Sequence, residues 1–362
     1  MSKRVYNFNP GPATLPLEVL EEAQRDLLNY ADTGMSVMEI SHRSKEFDAI
    51  IVEAESIIKE LLHLGDNYRV LFLQGGASTQ FSMVPINFLR EGQTADYILT
   101  GSFAEKAYKE AVKIGNVHVA ASSKETNYDR IVDFNDIKLS EAPAYVHITS
   151  NNTIFGTQYK AFPDLGDIPL VADMSSDILS YPFAADKFAL IYAGAQKNLG
   201  PAGVTIVIIR SDMLEKVPET LPSMQSYAVL AKNNSLYNTA PTFSIYMVNL
   251  VLKWIKRNGG LEVMQQRNEE KAAIVYEAID NSDGYYRGHA QKDSRSLMNV
   301  TFRLPSEDLE KKFIQEAAAA NLVGVKGHRS VGGIRASIYN AMPKEGCVAL
   351  AQFMDSFRKA NG

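Results

Sequence analysis

The chain has 362 residues, 46% of them hydrophobic and 22% charged, with a formal net charge of −5. Its length speaks for about two domains, since single cores stop growing at roughly 250–300 residues. The acidic balance argues against a nucleic-acid partner, and a single cysteine, Cys347, leaves no internal disulfide to form. No apolar run follows the basic N-terminus, so no signal peptide is expected. Nothing approaches 18 consecutive apolar residues, so no membrane span is expected either and the expected location is the cytoplasm.

After the turn Asn9-Pro10-Gly11-Pro12 a helix is predicted from near Pro16, a good first-turn residue. A second follows Ser44, where Phe47, Ile50, Ile51, Ala54, Ile57, Ile58, Leu61 and Leu62 fall on one stripe. From Arg69 onward, short apolar runs near 70–73, 97–99, 145–149, 170–172, 188–192 and 204–209 read as strands, with helices over 78–89 and 103–114. Val204 to Ile209 is unbroken and β-branched, as a strand buried on both faces should be. This alternation predicts an α/β fold with a mostly parallel sheet covered on both sides. A long helix over 242–257 stops at Gly259-Gly260. Beyond it a helix, a strand (297–304), a helix (306–320), strands (322–326 and 334–338) and a last helix (345–359) predict a smaller α+β domain. The expected division is 17–260 for the large domain, with 1–16 joining 261–362 in the small one.

The strongest local signal lies between residues 171 and 203. Val171-Ala172-Asp173 ends one predicted strand, and Ala195-Gln196-Lys197-Asn198 follows another, with Gly200, Pro201 and Gly203 close behind. Alone, these would be a surface lysine and a strand-capping aspartate. Together, at neighbouring strand ends, they suit pyridoxal phosphate, which needs a lysine amine to carry it and a carboxylate against its ring nitrogen. Leu71 to Gln80 reads as a strand, a Gly75-Gly76-Ala77-Ser78 turn and a helix start, where free N–H groups would hold a phosphate. Gly-Gly is also a common tight turn, and the segment has neither P-loop spacing nor the G-x-G-x-x-G of a dinucleotide site. Phe103 follows the next strand and suits ring stacking or simply the core. Thr153 suits a contact to the cofactor's phenolic oxygen or phosphate, or ordinary turn chemistry.

These segments carry a resemblance that runs nearly end to end. Asn7 to Ala13, Ser36 to Arg43, Gln74 to Phe81, Ala172 to Ser176 and Tyr192 to Asn198 make the chain similar to the phosphoserine aminotransferase family, within the class V pyridoxal-phosphate enzymes. The resemblance implies the aspartate-aminotransferase-like fold (fold type I) and a homodimer with shared active sites. It implies that Lys197 carries the cofactor, that Asp173 pairs with the ring nitrogen, and that Ala77, Ser78 and Gln196 hold the phosphate. Phe103 would stack on the ring, where many members carry tryptophan, and Thr153 would contact the cofactor. Asn238 and Thr239 would reach the cofactor phosphate of the neighbouring subunit.

Three arginine sites suit a substrate with two anionic ends, because guanidinium groups grip carboxylates and phosphates through paired N–H bonds. They are His42-Arg43, His328-Arg329 and the strand residue Arg335. Each His-Arg pair alone is ordinarily a solvated turn. By the resemblance Arg335 takes the α-carboxylate, while His42 and Arg43 of the partner subunit join His328 and Arg329 around a phosphate. Either histidine could be cationic there. The implied reaction moves an amino group between L-glutamate and 3-phosphohydroxypyruvate, giving O-phospho-L-serine and 2-oxoglutarate, as in serine biosynthesis. A related phosphorylated threonine precursor of pyridoxine biosynthesis is a further implied substrate. No metal, nucleic-acid or membrane partner is expected.

Rival readings are weaker. An alanine–glyoxylate-type aminotransferase would have no evident need for two His-Arg pairs. A desulfurase needs a mobile nucleophilic thiol, and Cys347 reads as a packing residue. A DNA-binding regulator lacks a basic helix-turn-helix region, and a dehydrogenase lacks the glycine fingerprint.

Overall fold

In the computed structural model, residues 4–362 are described. A helix α1 (Leu17–Asp26) and a longer α2 (Lys45–Leu61) lead into the sheet. Ser44 caps α2, its hydroxyl accepting from the Phe47 N–H, and the predicted stripe from Phe47 to Leu61 is buried.

Seven strands form the main sheet. They are β1 (Tyr68–Leu73), β2 (Thr94–Leu99), β3 (Asn116–Ser122), β4 (Val146–Thr149), β5 (Leu170–Asp173), β6 (Leu190–Gly194) and β7 (Thr205–Arg210). Their spatial order is β1-β7-β6-β5-β4-β2-β3. All pair in parallel except β7, which runs antiparallel to both β1 and β6. No crossover helix separates Gly194 from Thr205, so the chain can only turn back beside the strand it has left. Helices α3 (Gly76–Phe88) and α4 (Ser102–Val112) close β1–β2 and β2–β3. The strand β3 is not anticipated by the sequence reading. It is an edge strand, largely half-exposed, and its Asn, His, Ala and Ser residues give no continuous apolar run.

Helix α5 (Thr242–Arg257) ends as predicted, and the helix expected beyond it follows at once as α6 (Gly260–Asp280). Beyond it a three-stranded antiparallel sheet, β8 (Arg287–Gly288), β9 (Asn299–Arg303) and β10 (Ile334–Ser337), packs with α7 (Glu307–Ala319) and α8 (Lys344–Asn361). Phe8, Val275, Phe302, Phe313, Leu350 and Phe357 belong to the core between them. The expected strand 322–326 is only Leu322–Val323, pairing with Tyr6–Asn7. The N-terminal segment thus lies against the C-terminal elements. Cys347 is fully buried in this core, and burial pushes its thiol up to about 12, so it has no thiolate to offer.

One hairpin, Asn151–Asn152 against Thr157–Gln158, ties the main sheet to the small one. Asn151 Nδ2 donates to Ser176 and to Asn299, Leu297 N–H donates to Gln158 Oε1, and Thr301 Oγ1 donates to Phe155 O. At its tip Gly156 has φ +76°, and a Cβ there would come within 2.8 Å of Asn299 O. Gly156→Ala should therefore cost at least ~1 kcal/mol, read as a lower melting temperature. An unchanged melting curve would show that the hairpin is not held against β9.

Candidate active site

The site forms where the parallel strands end. Asp173 closes β5 in register with Thr149 on β4 and Tyr192 on β6, which places its carboxylate at the centre of the sheet's C-terminal edge. Lys197 lies three residues beyond β6, in a turn closed by Leu199 and Gly200 N–H groups donating to Ala195 O. Asn198 pins that turn, donating to Ile178 O and accepting from Asn340 N–H. On the other side Ala13 N–H donates to Gln196 O, so the N-terminal segment lies along the lysine turn.

Lys197 Nζ donates to Thr153 Oγ1 at 3.0 Å and stands 5.1 Å from the Phe103 ring centroid. Burial pulls this amine down to about 8, against the opposing pull of Asp173, while the Arg335 charge lowers it further. Asp173 is 5% exposed, and burial raises its carboxyl while Lys197 and the Ser175 N–H favour the ionised form. The two groups hold each other's charge where water does not.

Above β1, α3 begins at Gly76 with no side chain capping it. Gly75 has φ +92°, and a Cβ there would collide with Thr79 Oγ1, which donates to the Gly75 carbonyl. The first-turn N–H groups around Ala77 and Ser78, at the positive end of the helix dipole, are therefore free for an anion. Across the site Arg335 on β10 is 6% exposed. Its Nη1 donates to Thr153 O at 3.3 Å and its buried Nε has no partner. Arg335 and His328 line a cavity of about 390 Å³ with Phe155, His289 and Thr301.

Residues 5–350 match the family model of class V aminotransferases. The chain is 61% identical to the phosphoserine aminotransferase of Geobacillus kaustophilus, over 99% of both chains. It superposes on the phosphoserine aminotransferase of Bacillus circulans subsp. alkalophilus with a TM-score of 0.98 and 58% identity, all of both chains being covered. The pyridoxal-phosphate-bound phosphoserine aminotransferase of Trichomonas vaginalis matches at TM-score 0.92 and 41% identity, covering 97% of this chain and all of that one. The chain belongs to the class V aminotransferases.

For a class V member, the residues present fit a phosphorylated aldehyde cofactor. An uncapped helix N-terminus, a desolvated amine beside an aromatic face and a buried carboxylate lie along one sheet edge. Lys197, Asp173, Thr153, Phe103 and Arg335 are brought together as the sequence suggested, with Ala77, Ser78 and Gln196 at their strand ends. Five expected residues are not drawn into this cluster. Asn238 Nδ2 donates to the carbonyl O of its neighbour Thr239, and Thr239 and Arg43 are exposed. His42 is half-buried, its shielded Nε2 without a partner, and Arg329 is exposed on its turn.

Sequence reasoning missed Asp177, four residues beyond Asp173 in the turn that follows β5. It is 1% exposed, its two oxygens accept from Ser150 Oγ and Gln158 Nε2, and burial pushes its carboxyl up to about 7, with the Asp173 charge acting in the same direction. The i, i+4 spacing of the two aspartates was a visible signal. Tyr339, which accepts from Asn299 Nδ2 and donates to Pro10 O, gave none.

Because Lys197 is held down to about 8, the cofactor-free chain should take up pyridoxal phosphate faster as pH rises towards 8 and level off above it. Stopped-flow growth of the visible band reads this. Borohydride trapping followed by peptide mass mapping should place the label on Lys197, and Lys197→Ala should abolish it; label elsewhere would overturn the assignment.

Proposed function

We propose that this chain is a pyridoxal-phosphate-dependent aminotransferase that moves an amino group between L-glutamate and 3-phosphohydroxypyruvate, giving O-phospho-L-serine and 2-oxoglutarate. The observation that carries the reading is the half-buried Lys197 amine, set beside the Phe103 ring and balanced by the Asp173 charge. When bound, the cofactor supplies an electron sink for the carbanion formed at the substrate's α-carbon.

The chain's own groups do the rest. Lys197 is the amine that carries the cofactor, and once displaced it is the base that takes the α-proton. An amine near 8 is partly unprotonated at neutral pH, which an ordinary lysine is not. Asp173 holds a proton on the ring nitrogen by keeping a negative charge beside it in a dry site. Thr153 Oγ1 accepts from the Lys197 amine and so fixes where that amine points. The free first-turn N–H groups of α3 take the cofactor phosphate, with Gln196 beside them. Arg335 takes the α-carboxylate; its unpartnered Nε is a donor still to be satisfied.

His328 and Arg329 receive the substrate's distal anion, a phosphate in one half-reaction and the glutamate side-chain carboxylate in the other. We place His42 and Arg43, together with Asn238 and Thr239, at the partner's site in a homodimer. Support comes from the unsatisfied His42 Nε2 and from Leu28 and Met38, which are 86% and 59% exposed in the stretch that precedes this segment. We also read residues 17–260 as the cofactor-holding domain and 1–16 with 261–362 as the smaller one, with the enzyme acting in the cytoplasm. No helix among the described residues is long and apolar enough to cross a membrane.

A half-reaction screen tests the reading. The loaded protein is mixed in turn with glutamate, O-phosphoserine, alanine, serine and cysteine while the visible band is followed. Rapid bleaching with glutamate and O-phosphoserine alone is expected; bleaching with alanine or cysteine instead would sink the substrate assignment. Asp173→Asn should slow the half-reaction by at least about 100-fold, and an unchanged rate would remove Asp173 from the ring nitrogen. Arg335→Ala should raise KM for both amino donors alike, because both present an α-carboxylate, and an effect on only one would argue against that role.

A further inference from the structure

We propose that Ser330 is a positioning residue that fixes His328 as a neutral imidazole with its proton on Nε2. His328 then meets the substrate's distal anion as a hydrogen-bond donor and not as another cation. The proposal rests on the reading of His328 as a ligand of that anion, and it deepens that reading by assigning the histidine its protonation state.

The backbone N–H of Ser330 points at His328 Nδ1, at 3.2 Å, and Ser330 Oγ lies 2.7 Å from the same nitrogen. A backbone amide has only a proton to give, so Nδ1 must receive it through its lone pair and carry no proton of its own. The one ring proton of a neutral imidazole is then on Nε2, the nitrogen turned away from Ser330. A hydroxyl can rotate to suit either partner, but the amide cannot. Protonating Nδ1 would set two N–H groups against each other. The turn enforces this contact: Val331 and Gly332 N–H groups both donate to the His328 carbonyl, at 3.0 and 2.8 Å, curling residues 328–332 under the ring.

The surroundings agree. His328 is half-buried, and the charged groups acting on it are Arg335 from β10, Lys106 from α4 and Arg329 from its own turn. Burial and these three cations all hold the imidazole below its usual range. Across the cavity stand His289, which bonds Asn127 O, and Arg303, whose charge is met by Glu310. No carboxylate acts on the ring to favour its cationic form. A further positive charge would be costly here and would bind a phosphate dianion too unevenly against a carboxylate. A neutral donor serves both distal groups, which a site alternating between two substrates requires.

The experiment is side-chain 15N NMR on the cofactor-loaded protein labelled at its six histidines, with His328→Gln identifying the resonance. At pH 7.5 His328 should show an unprotonated Nδ1 and a protonated Nε2, and should hold that state to lower pH than a free histidine. Ser330→Ala keeps the amide but loses the hydroxyl. It should move the His328 titration towards the usual value and raise KM for O-phosphoserine about 3- to 10-fold, the worth of one ordinary hydrogen bond, with kcat little changed. Ser330→Thr should restore both. An imidazolium or an Nδ1–H tautomer at pH 7.5 would overturn the proposal. So would a Ser330→Pro variant, which lacks the amide N–H, whose His328 kept the parent's tautomer and titration; Ser330→Ala, which keeps that N–H, separates the hydroxyl's share. If the parent does not bleach with O-phosphoserine, the substrate reading falls and takes the role of His328 with it; the spectrum still decides the tautomer by itself.

Discussion

The structure is organised around a half-buried amine and a buried carboxylate at the same sheet edge. Lys197 and Asp173 are each disfavoured in charged form by burial and favoured by the other. Such a pair is a poor source of stability, because desolvation offsets the attraction. It is tolerated where chemistry needs an amine that readily gives up its proton and a carboxylate that keeps its charge. The fold supplies that setting with three adjacent parallel strands whose ends converge, covered by helices and by the N-terminal segment.

Thr153 is the hinge of the arrangement. Its hydroxyl receives the lysine amine and its carbonyl receives Arg335, so one residue touches both the group proposed to work on the cofactor and the group proposed to orient the substrate. The hairpin that carries Thr153 is in turn held to β9 by Asn151 and Gly156. Any shift of the small sheet against the large one would therefore be felt at Lys197. Buried polar networks of this kind specify a single arrangement because each unmade bond leaves a desolvated group.

Three unlike devices are proposed to receive the anions. The uncapped start of α3 offers fixed backbone donors, Arg335 offers a desolvated guanidinium, and the 328–332 turn offers an exposed arginine beside a histidine held neutral. The first suits a phosphate that stays bound, the others groups that must come and go.

The sequence by itself determined the fold class, most strands of the main sheet and the placing of a lysine and an aspartate at neighbouring strand ends. Apolar runs punctuated by Gly and Pro mark buried parallel strands, and a lysine and an aspartate at their ends can only face the same edge. It did not yield the edge strand β3, whose half-exposed residues lack a burial pattern. Asp177 was within reach of its spacing from Asp173, but its burial was not, because that depends on Ser150 and Gln158 arriving from another strand end. Only the tertiary structure decided that Thr153 joins Lys197 to Arg335, that Tyr339 ties Pro10 to Asn299, and that His328 is met by an amide donor. Each of these is a contact between side chains or backbone groups whose direction is set by packing, and residue order alone carries no record of direction.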